Sequence, residues 1–211
     1  PAIIFVEEAE AIMRERGASI SSDANNTIVP MWLAEMDGLH ASKTILMLTT
    51  NRPDMLDGAL LREGRIDRKL LVPRPNQEGS AQIVNIHLIN IPLFNTTPYE
   101  VTQFMVCQLF SDRFPIYNVK VKGKRSSFQI NLSDCISGAL ISGIIREAVS
   151  HALRRDIKEQ SQKGVGLEEF GTAIEKMYQQ QLAKNHNFEK IEFAEKQGLN
   201  ILDCNFTVAT K

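Results

Sequence analysis

Two short apolar runs, each stopped by polar residues, constrain this chain more than any other feature. The first, Ile3-Ile-Phe-Val6, ends in the carboxylate pair Glu7-Glu8. It is too short for a helix of its own and reads as a strand buried on both faces. The second, Thr44-Ile-Leu-Met-Leu-Thr-Thr50, begins roughly forty residues later and ends in Asn51. In an open α/β sheet, ligands sit at the carboxyl ends of such strands. A segment with arginines at fixed spacing follows, Leu61-Arg62-Glu63-Gly64-Arg65-Ile66-Asp67-Arg68. Strand ends carrying carboxylates and a carboxamide, followed by paired arginines, suit a phosphate-transfer site shared between subunits.

At 211 residues and 43% hydrophobic, the chain can bury a sizeable core, as one domain or two small ones. A net charge of −1 gives no global pull toward nucleic acid or anionic membrane. No apolar run approaches the length of a transmembrane span. The start carries two glutamates straight after its apolar run and lacks the basic leader of a signal peptide. Cys107, Cys135 and Cys204 lie far apart, without a CxxC or Cys/His zinc spacing. They read as buried free thiols in a reducing cytoplasm.

Along the chain, Ala9 to Ser22 reads as a loop or frayed helix. Ser22 to Leu39 reads as a helix in which Pro30 should introduce a bend. Asn51-Arg52-Pro53-Asp54 signals a turn, Asp57 to Leu61 a short helical piece, and Lys69 to Val72 a third short strand. A helix from about Asn76 to Leu88 carries Ile83, Val84 and His87 on one stripe. Asn90 to Pro98 is a Pro- and Asn-rich hinge, followed by a helix from Tyr99 to about Phe110. Tyr117–Val121 and Ser127–Leu132 alternate around Lys122-Gly123-Lys124, the pattern of a hairpin. From Ser137 an amphipathic helix places Leu140, Ile141, Ile144, Ile145, Ala148, Val149, Ala152 and Leu153 on one face. Gly164 to Gly166 breaks that pattern, a second helix runs from about Leu167 to Leu182, and the tail alternates as a last strand.

The series P-A-I-I-F-V-E-E-A-E, I-L-M-L-T-T-N-R-P and D-G-A-L-L-R-E-G-R-I-D-R resembles the Walker B, sensor 1 and arginine-finger segments of AAA ATPases. The hairpin ahead of Ser137-Gly138-Ala139, with D-x-x-S-G-A-L-I, is similar to the ring-forming ATPases of the ARC group, which includes the actinobacterial proteasome-associated unfoldase. The resemblance implies an α/β fold: a partial AAA parallel sheet followed by a mostly helical lid with an inserted β-hairpin. Residues 1–91 would be the C-terminal half of the large α/β subdomain. Residues 92–185 would be the lid, with its hairpin at about 117–132, and residues 186–211 a tail with a short strand. The cofactors implied are ATP and Mg²⁺. The implied assembly is a cytoplasmic homo-hexamer that unfolds or remodels protein substrates, with a protease as a possible partner. The terminal Thr207-Val-Ala-Thr-Lys211 has no tyrosine of the kind used for proteasome docking, which speaks against that partner.

By this resemblance Glu8 is the carboxylate that polarises the attacking water, a task that needs a base aimed by a rigid strand end. Glu7 stands where Asp usually contacts magnesium, and its extra methylene pushes the carboxylate outward from a metal that demands near-ideal geometry. Asn51 can donate to a γ-phosphate and accept from the lytic water at once. Arg62 and Arg65 match the finger arginines, with Glu63 between them where Pro is common. Each residue also has a plainer reading: a surface glutamate, an Asn opening a turn, arginines on a loop. His87 matches a position near the adenine or is a core histidine. Gly138 and Ala139 leave room for a base or serve helix packing.

No G-x-x-x-x-G-K-[ST] occurs in the chain, since Lys43-Thr44 follows Ser42 and precedes a strand. The expectation is therefore the C-terminal part of a longer protein, inactive by itself because nothing here cradles phosphates. Two other readings compete with the ring ATPase. One is a hydrolysis-poor AAA-like scaffold, suggested by Glu7 and Glu63. The other is a nucleic-acid remodeller, suggested only by Lys120, Lys122, Lys124 and Arg125 on the hairpin. Without a stacking series of aromatics, nucleic acid is an unlikely partner.

Overall fold

The computed structural model describes residues 2–14, 23–39, 44–62, 64–123 and 127–209. The chain divides into two compact units, Pro1–Val72 and Pro73–Lys211, each with its own core.

In the first unit, strand β1 (Ala2–Val6) pairs in parallel with β2 (Thr44–Leu48), in the register Ala2↔Thr44 through Val6↔Leu48. Between them runs helix α1 (Asp23–Leu39), with Pro30 inside it. A parallel pair needs such a crossover, because a tight turn can only join antiparallel neighbours. Met36 on α1 packs with Ala9, Met13, Leu56 and Leu60, and the half-buried Trp32, Leu33 and Leu46 close over them. The strands are not buried on both faces as expected. Ile3 is 68% and Phe5 53% exposed, because β1 and β2 make a two-stranded sheet and no described residue of this unit covers those faces. Nor does Lys69–Val72 form a strand. Leu70, Leu71 and Val72 are strongly exposed and, among the described residues, have no ladder partner. An apolar run becomes a strand only where an edge is available to take its N–H and C=O groups. Asp57–Leu61 is a turn rather than helical, and most of the 9–22 loop lies outside the described residues, after a 3₁₀ turn at Ala9–Ala11.

The second unit holds helices α2 (Gln77–Leu88), α3 (Pro98–Leu109), α4 (Gly138–Glu159), α5 (Leu167–Leu182) and α6 (Asn187–Lys196). A three-stranded antiparallel sheet, ordered β4-β3-β5, joins Pro115–Val121 (β3), Ser127–Asn131 (β4) and Cys204–Val208 (β5). Central strand β3 buries Ile116, Tyr117, Val119 and Val121. Helix α4 meets the core with Leu140, Ile141, Ile144, Ile145, Ala148 and Ala152, the spacing of one helical face. It packs on α5, whose Phe170, Ala173, Ile174 and Tyr178 are buried. Leu153, expected on the same stripe, is 59% exposed, because α4 outruns the core near its C-terminus.

Two sequence expectations change in this unit. The Asn90–Pro98 segment, read as a hinge, is tied to the α4–α5 connection by two backbone hydrogen bonds. Val165 N–H donates to the Pro92 carbonyl at 2.8 Å, and Phe94 N–H to the Val165 carbonyl at 2.9 Å. Gly164 holds φ +91° against this bridge, where a Cβ would lie 2.5 Å from the Pro92 oxygen, so only glycine fits. Helix α2 packs on α3 and α4 within the compact unit Pro73–Lys211. The tail is likewise structural. Helix α6 had no reading in the sequence, and β5 completes the sheet beside β3. Phe193 of α6 stands edge-on to Phe128 and Phe206, with ring centroids 5.9 and 6.4 Å apart.

Candidate functional site at the ends of β1 and β2

Because β1 and β2 run parallel and in register to Val6↔Leu48, their carboxyl ends stop together. Glu7-Glu8 and Thr49–Asn51 thus leave the sheet side by side, about one strand spacing, or ~4.8 Å, apart at the backbone. The ladder continues past the strands: Thr49 N–H donates to the Val6 carbonyl and Ala9 N–H to the Thr49 carbonyl, each at 2.9 Å. Glu8 sits between these two bonds with φ 51° and ψ 49°, a left-handed conformation that costs a non-glycine residue energy and recurs at functional corners. Buried Ala9 anchors the turn, while the side chains of Glu7, Glu8 and Asn51 face solvent.

Glu10 is a residue that sequence reasoning passed over. Its carboxyl is held below the ordinary range, chiefly by the Thr50 hydroxyl, then by its own N–H, the Asn51 N–H and the nearby Arg52 charge, against a partial burial that acts the other way. Its Oε2 is buried and has no hydrogen-bond partner among the described residues. Arg52 forks onto Asp54 at 3.0 and 3.1 Å and stiffens the turn after Asn51. The acidic repetition Glu7-Glu8-Ala9-Glu10 was the only sequence signal for a third carboxylate here.

The two finger-segment arginines differ. Arg65 is clasped: its guanidinium donates to both carboxylate oxygens of Asp37 at 2.8 and 3.0 Å and to the Ala59 carbonyl at 2.8 Å. The Asp37 carboxylate raises its already high pKa. Arg62 is exposed and forms no ion pair among the described residues. Nothing local predicted the Arg65–Asp37 pair, which spans 28 positions. Glu63 lies outside the described residues.

The remaining expected site residues belong to the second unit. His87, in the last turn of α2, is exposed, so it is no core histidine. Gly138 opens α4 behind the N-cap Ser137, whose Oγ accepts from Leu140 N–H at 3.2 Å. A Cβ on Gly138 would meet nothing within 4 Å, and Ala139 is exposed, so packing inside this chain does not explain Gly138's lack of a side chain. Of the cysteines, only Cys135 is buried; Cys204 is partly exposed and Cys107 exposed, which corrects the expectation of three buried thiols. Burial pushes the Cys135 thiol up to about 12, with Glu189 adding and Arg74 opposing, so at neutral pH it is uncharged and a poor nucleophile. No described helix is long and apolar enough to cross a membrane.

Residues 1–74, which hold the carboxylates, Asn51 and both arginines, match the model of the ATPase family associated with various cellular activities, AAA. The mixed α/β architecture, a small parallel sheet followed by a helical part, is consistent with a partial AAA domain. Over a longer stretch, the chain is 36% identical across 181 residues to a Corynebacterium efficiens protein described as an AAA ATPase forming ring-shaped complexes. That alignment covers 85% of this chain and 34% of the relative. Proteins of the same description from Corynebacterium diphtheriae and Bifidobacterium dentium are 33% and 28% identical, over 90% and 85% of this chain. The chain spans about a third of the length of these relatives, 34 to 36%.

Proposed function

We propose that this chain is the C-terminal part of a ring-forming AAA ATPase of the ARC type, which hydrolyses ATP and uses the energy to unfold or remodel proteins. The observation that carries the reading is the shared exit of β1 and β2, with two exposed carboxylates on one strand end and a carboxamide on the next. Glu8 then acts as the base that takes a proton from the attacking water. Asn51 orients that water and the terminal phosphate, and Glu10 holds the Thr50–Asn51 corner in place. Arg62 reaches the nucleotide of a neighbouring subunit, with Arg65 bracing the same segment from Asp37. Residues 1–91 are the large-subdomain portion in this reading, residues 92–185 the lid and residues 186–211 its tail, with the Pro73 unit boundary marking where the lid's own packing begins. His87, near the end of the large-subdomain portion, and Gly138 and Ala139 of the lid border the adenine. The ring is a cytoplasmic homo-hexamer.

The residues present fit Mg²⁺ with ATP: Glu7 and Glu8 are exposed hard-oxygen donors at a strand end, and Glu10 adds a buried carboxylate oxygen without a partner. Glu7 would hold the ion, and magnesium when bound would neutralise charge on the phosphates. A second reading, an ATP-binding scaffold that scarcely hydrolyses, is favoured by one observation. Arg65 is already committed to Asp37 within its own subunit.

Glu8→Gln in the full-length ring tests the first reading. Turnover should fall by about 10²- to 10⁴-fold, the usual worth of a positioned base, while ATP affinity stays within a few-fold. Unchanged kcat would overturn the assignment of Glu8, and a wild-type ring that binds ATP without turnover would favour the scaffold.

A further inference from the structure

Away from the β1–β2 corner, three metal-ligating side chains of different chemistry meet inside the second unit. They are Cys135, from the 3₁₀ turn Leu132–Cys135 ahead of α4, and His186 and Glu189 from the start of α6. Cys135 and His186 are buried, and Glu189 is mostly so. Their ligand atoms all lie within 4.8 Å of one another. The Cys135 Sγ is 3.9 Å from His186 Nδ1, which is 3.6 Å from Glu189 Oε2. Neither is a good hydrogen bond: the first is long even for sulfur, the second beyond the N–H···O range. Ligand atoms around a tetrahedral zinc ion, at about 2.3 Å for sulfur and about 2.0–2.1 Å for nitrogen or oxygen, stand roughly 3.3–3.8 Å apart. The Cys135–His186 and His186–Glu189 separations need only a few tenths of an ångström of closure, and the Cys135–Glu189 pair, within 4.8 Å, is at most about an ångström more than the ideal spacing.

The surroundings orient each donor. His186 Nε2 is 2.7 Å from the Gln181 carbonyl. A carbonyl only accepts, so Nε2 carries the proton and Nδ1 presents its lone pair to the other two groups. Tyr117 packs edge-on against the imidazole, with ring centroids 5.8 Å apart. Arg74 donates to Glu189 Oε1 at 2.9 Å, which leaves Oε2 for the cluster, and to Glu192 at 3.1 Å. The geometry points to a zinc-class divalent metal site formed by Cys135, His186 and Glu189, with solvent in the fourth position. Sulfur, imidazole and carboxylate together select a borderline ion such as Zn²⁺ over Mg²⁺ or Ca²⁺. Binding forms three metal–ligand bonds and breaks one S–H bond, and the thiol proton leaves to solvent. The bound ion would tie the start of α6 to the turn that launches α4. The spacing of Cys135 and His186, 51 residues apart, hid the site from any local motif.

The test is titration of the chelator-stripped chain with Co²⁺, followed by Zn²⁺ competition. One Co²⁺ per chain should bind with a near-ultraviolet thiolate-to-cobalt band, be displaced by Zn²⁺, and raise the unfolding temperature. Cys135→Ser should lose the band and weaken binding by more than about a hundredfold, since even loss of an outer partner costs 10–100-fold. A Cys107→Ser/Cys204→Ser double variant should keep the band. If Cys135→Ser fails to fold, Glu189→Gln serves instead, retaining the band but requiring at least tenfold more Co²⁺. Absence of the band in the unaltered chain, its persistence in Cys135→Ser, or its loss in the double variant overturns the proposal.

Discussion

At the residue scale, the proposed site is a set of contrasts between similar side chains. Glu8 and Glu10 lie two positions apart, yet one is exposed at a left-handed corner and the other half-buried, with its carboxyl held below the ordinary range chiefly by the Thr50 hydroxyl. Arg62 and Arg65 lie three apart, yet only Arg65 is neutralised by a forked carboxylate. A guanidinium that reaches another subunit is best left unspent in its own, so under the proposed function Arg62 is the arginine expected to act across the ring. In mixed rings, Arg62→Ala should depress ATP turnover more than in proportion to its fraction, and pure mutant rings should lose about three to five decades. A strictly linear loss would make Arg62 a surface residue. Core positions answer to packing instead. Ile144 is fully buried on α4, and Ile144→Ala should cost about 2–5 kcal/mol, read from denaturant midpoints at constant slope.

At the element scale, the start of α3 shows how a few polar atoms fix a boundary. Thr97 Oγ1 accepts from Glu100 N–H at 3.2 Å while the Glu100 carboxylate accepts from Thr97 N–H at 2.8 Å, and Pro98 occupies the first turn. Thr97→Ala should cost about 1 kcal/mol. The Glu100 carboxyl is held below its ordinary value, first by the Thr97 N–H, then by the hydroxyls of Thr97 and Thr96. A carboxyl depressed in the folded state contributes stability that is complete above its unfolded pKa, about 4.3, and is lost as pH falls through the folded one. Thermal unfolding should therefore respond to this group only on the acid side of about pH 4.5. Glu100→Gln, which keeps an acceptor but not the charge, should flatten that acid response and lower the unfolding temperature slightly at neutral pH, where the ionised carboxyl's contribution is otherwise complete. The α4–α5 connection follows the same logic. Asp156 accepts from Gly164 N–H at 3.1 Å and Ser161 Oγ at 3.2 Å, while Arg155 reaches Asp156, Glu169 and the Gly164 carbonyl.

At the scale of the whole molecule, the two units are unequal. The second buries a continuous core from Val84 to Tyr178, whereas the first leaves Ile3, Phe5, Ile45 and Met47 of its two strands exposed. With no phosphate-binding loop among its 211 residues, the isolated chain should give no measurable heat with Mg-ATP in isothermal titration. Micromolar binding by a monomer would show a nucleotide site built from other residues. The sequence by itself determined the ends of β1 and β2, the amphipathic faces of α4 and α5, and the hairpin. Those signals are local: apolar periodicity, turn chemistry and a polar residue where a strand stops. The carboxylate pair and Asn51 were legible for the same reason. Tertiary structure decided what depends on a partner distant in sequence. Leu70–Val72 has strand composition but no ladder partner among the described residues, and stays exposed. His87 has a place on an apolar stripe but ends up in solvent. Arg65 finds Asp37, β5 finds β3, and Cys135 finds His186 and Glu189, all through contacts that periodicity cannot encode, because a residue's fate there rests on what the rest of the chain leaves open to it.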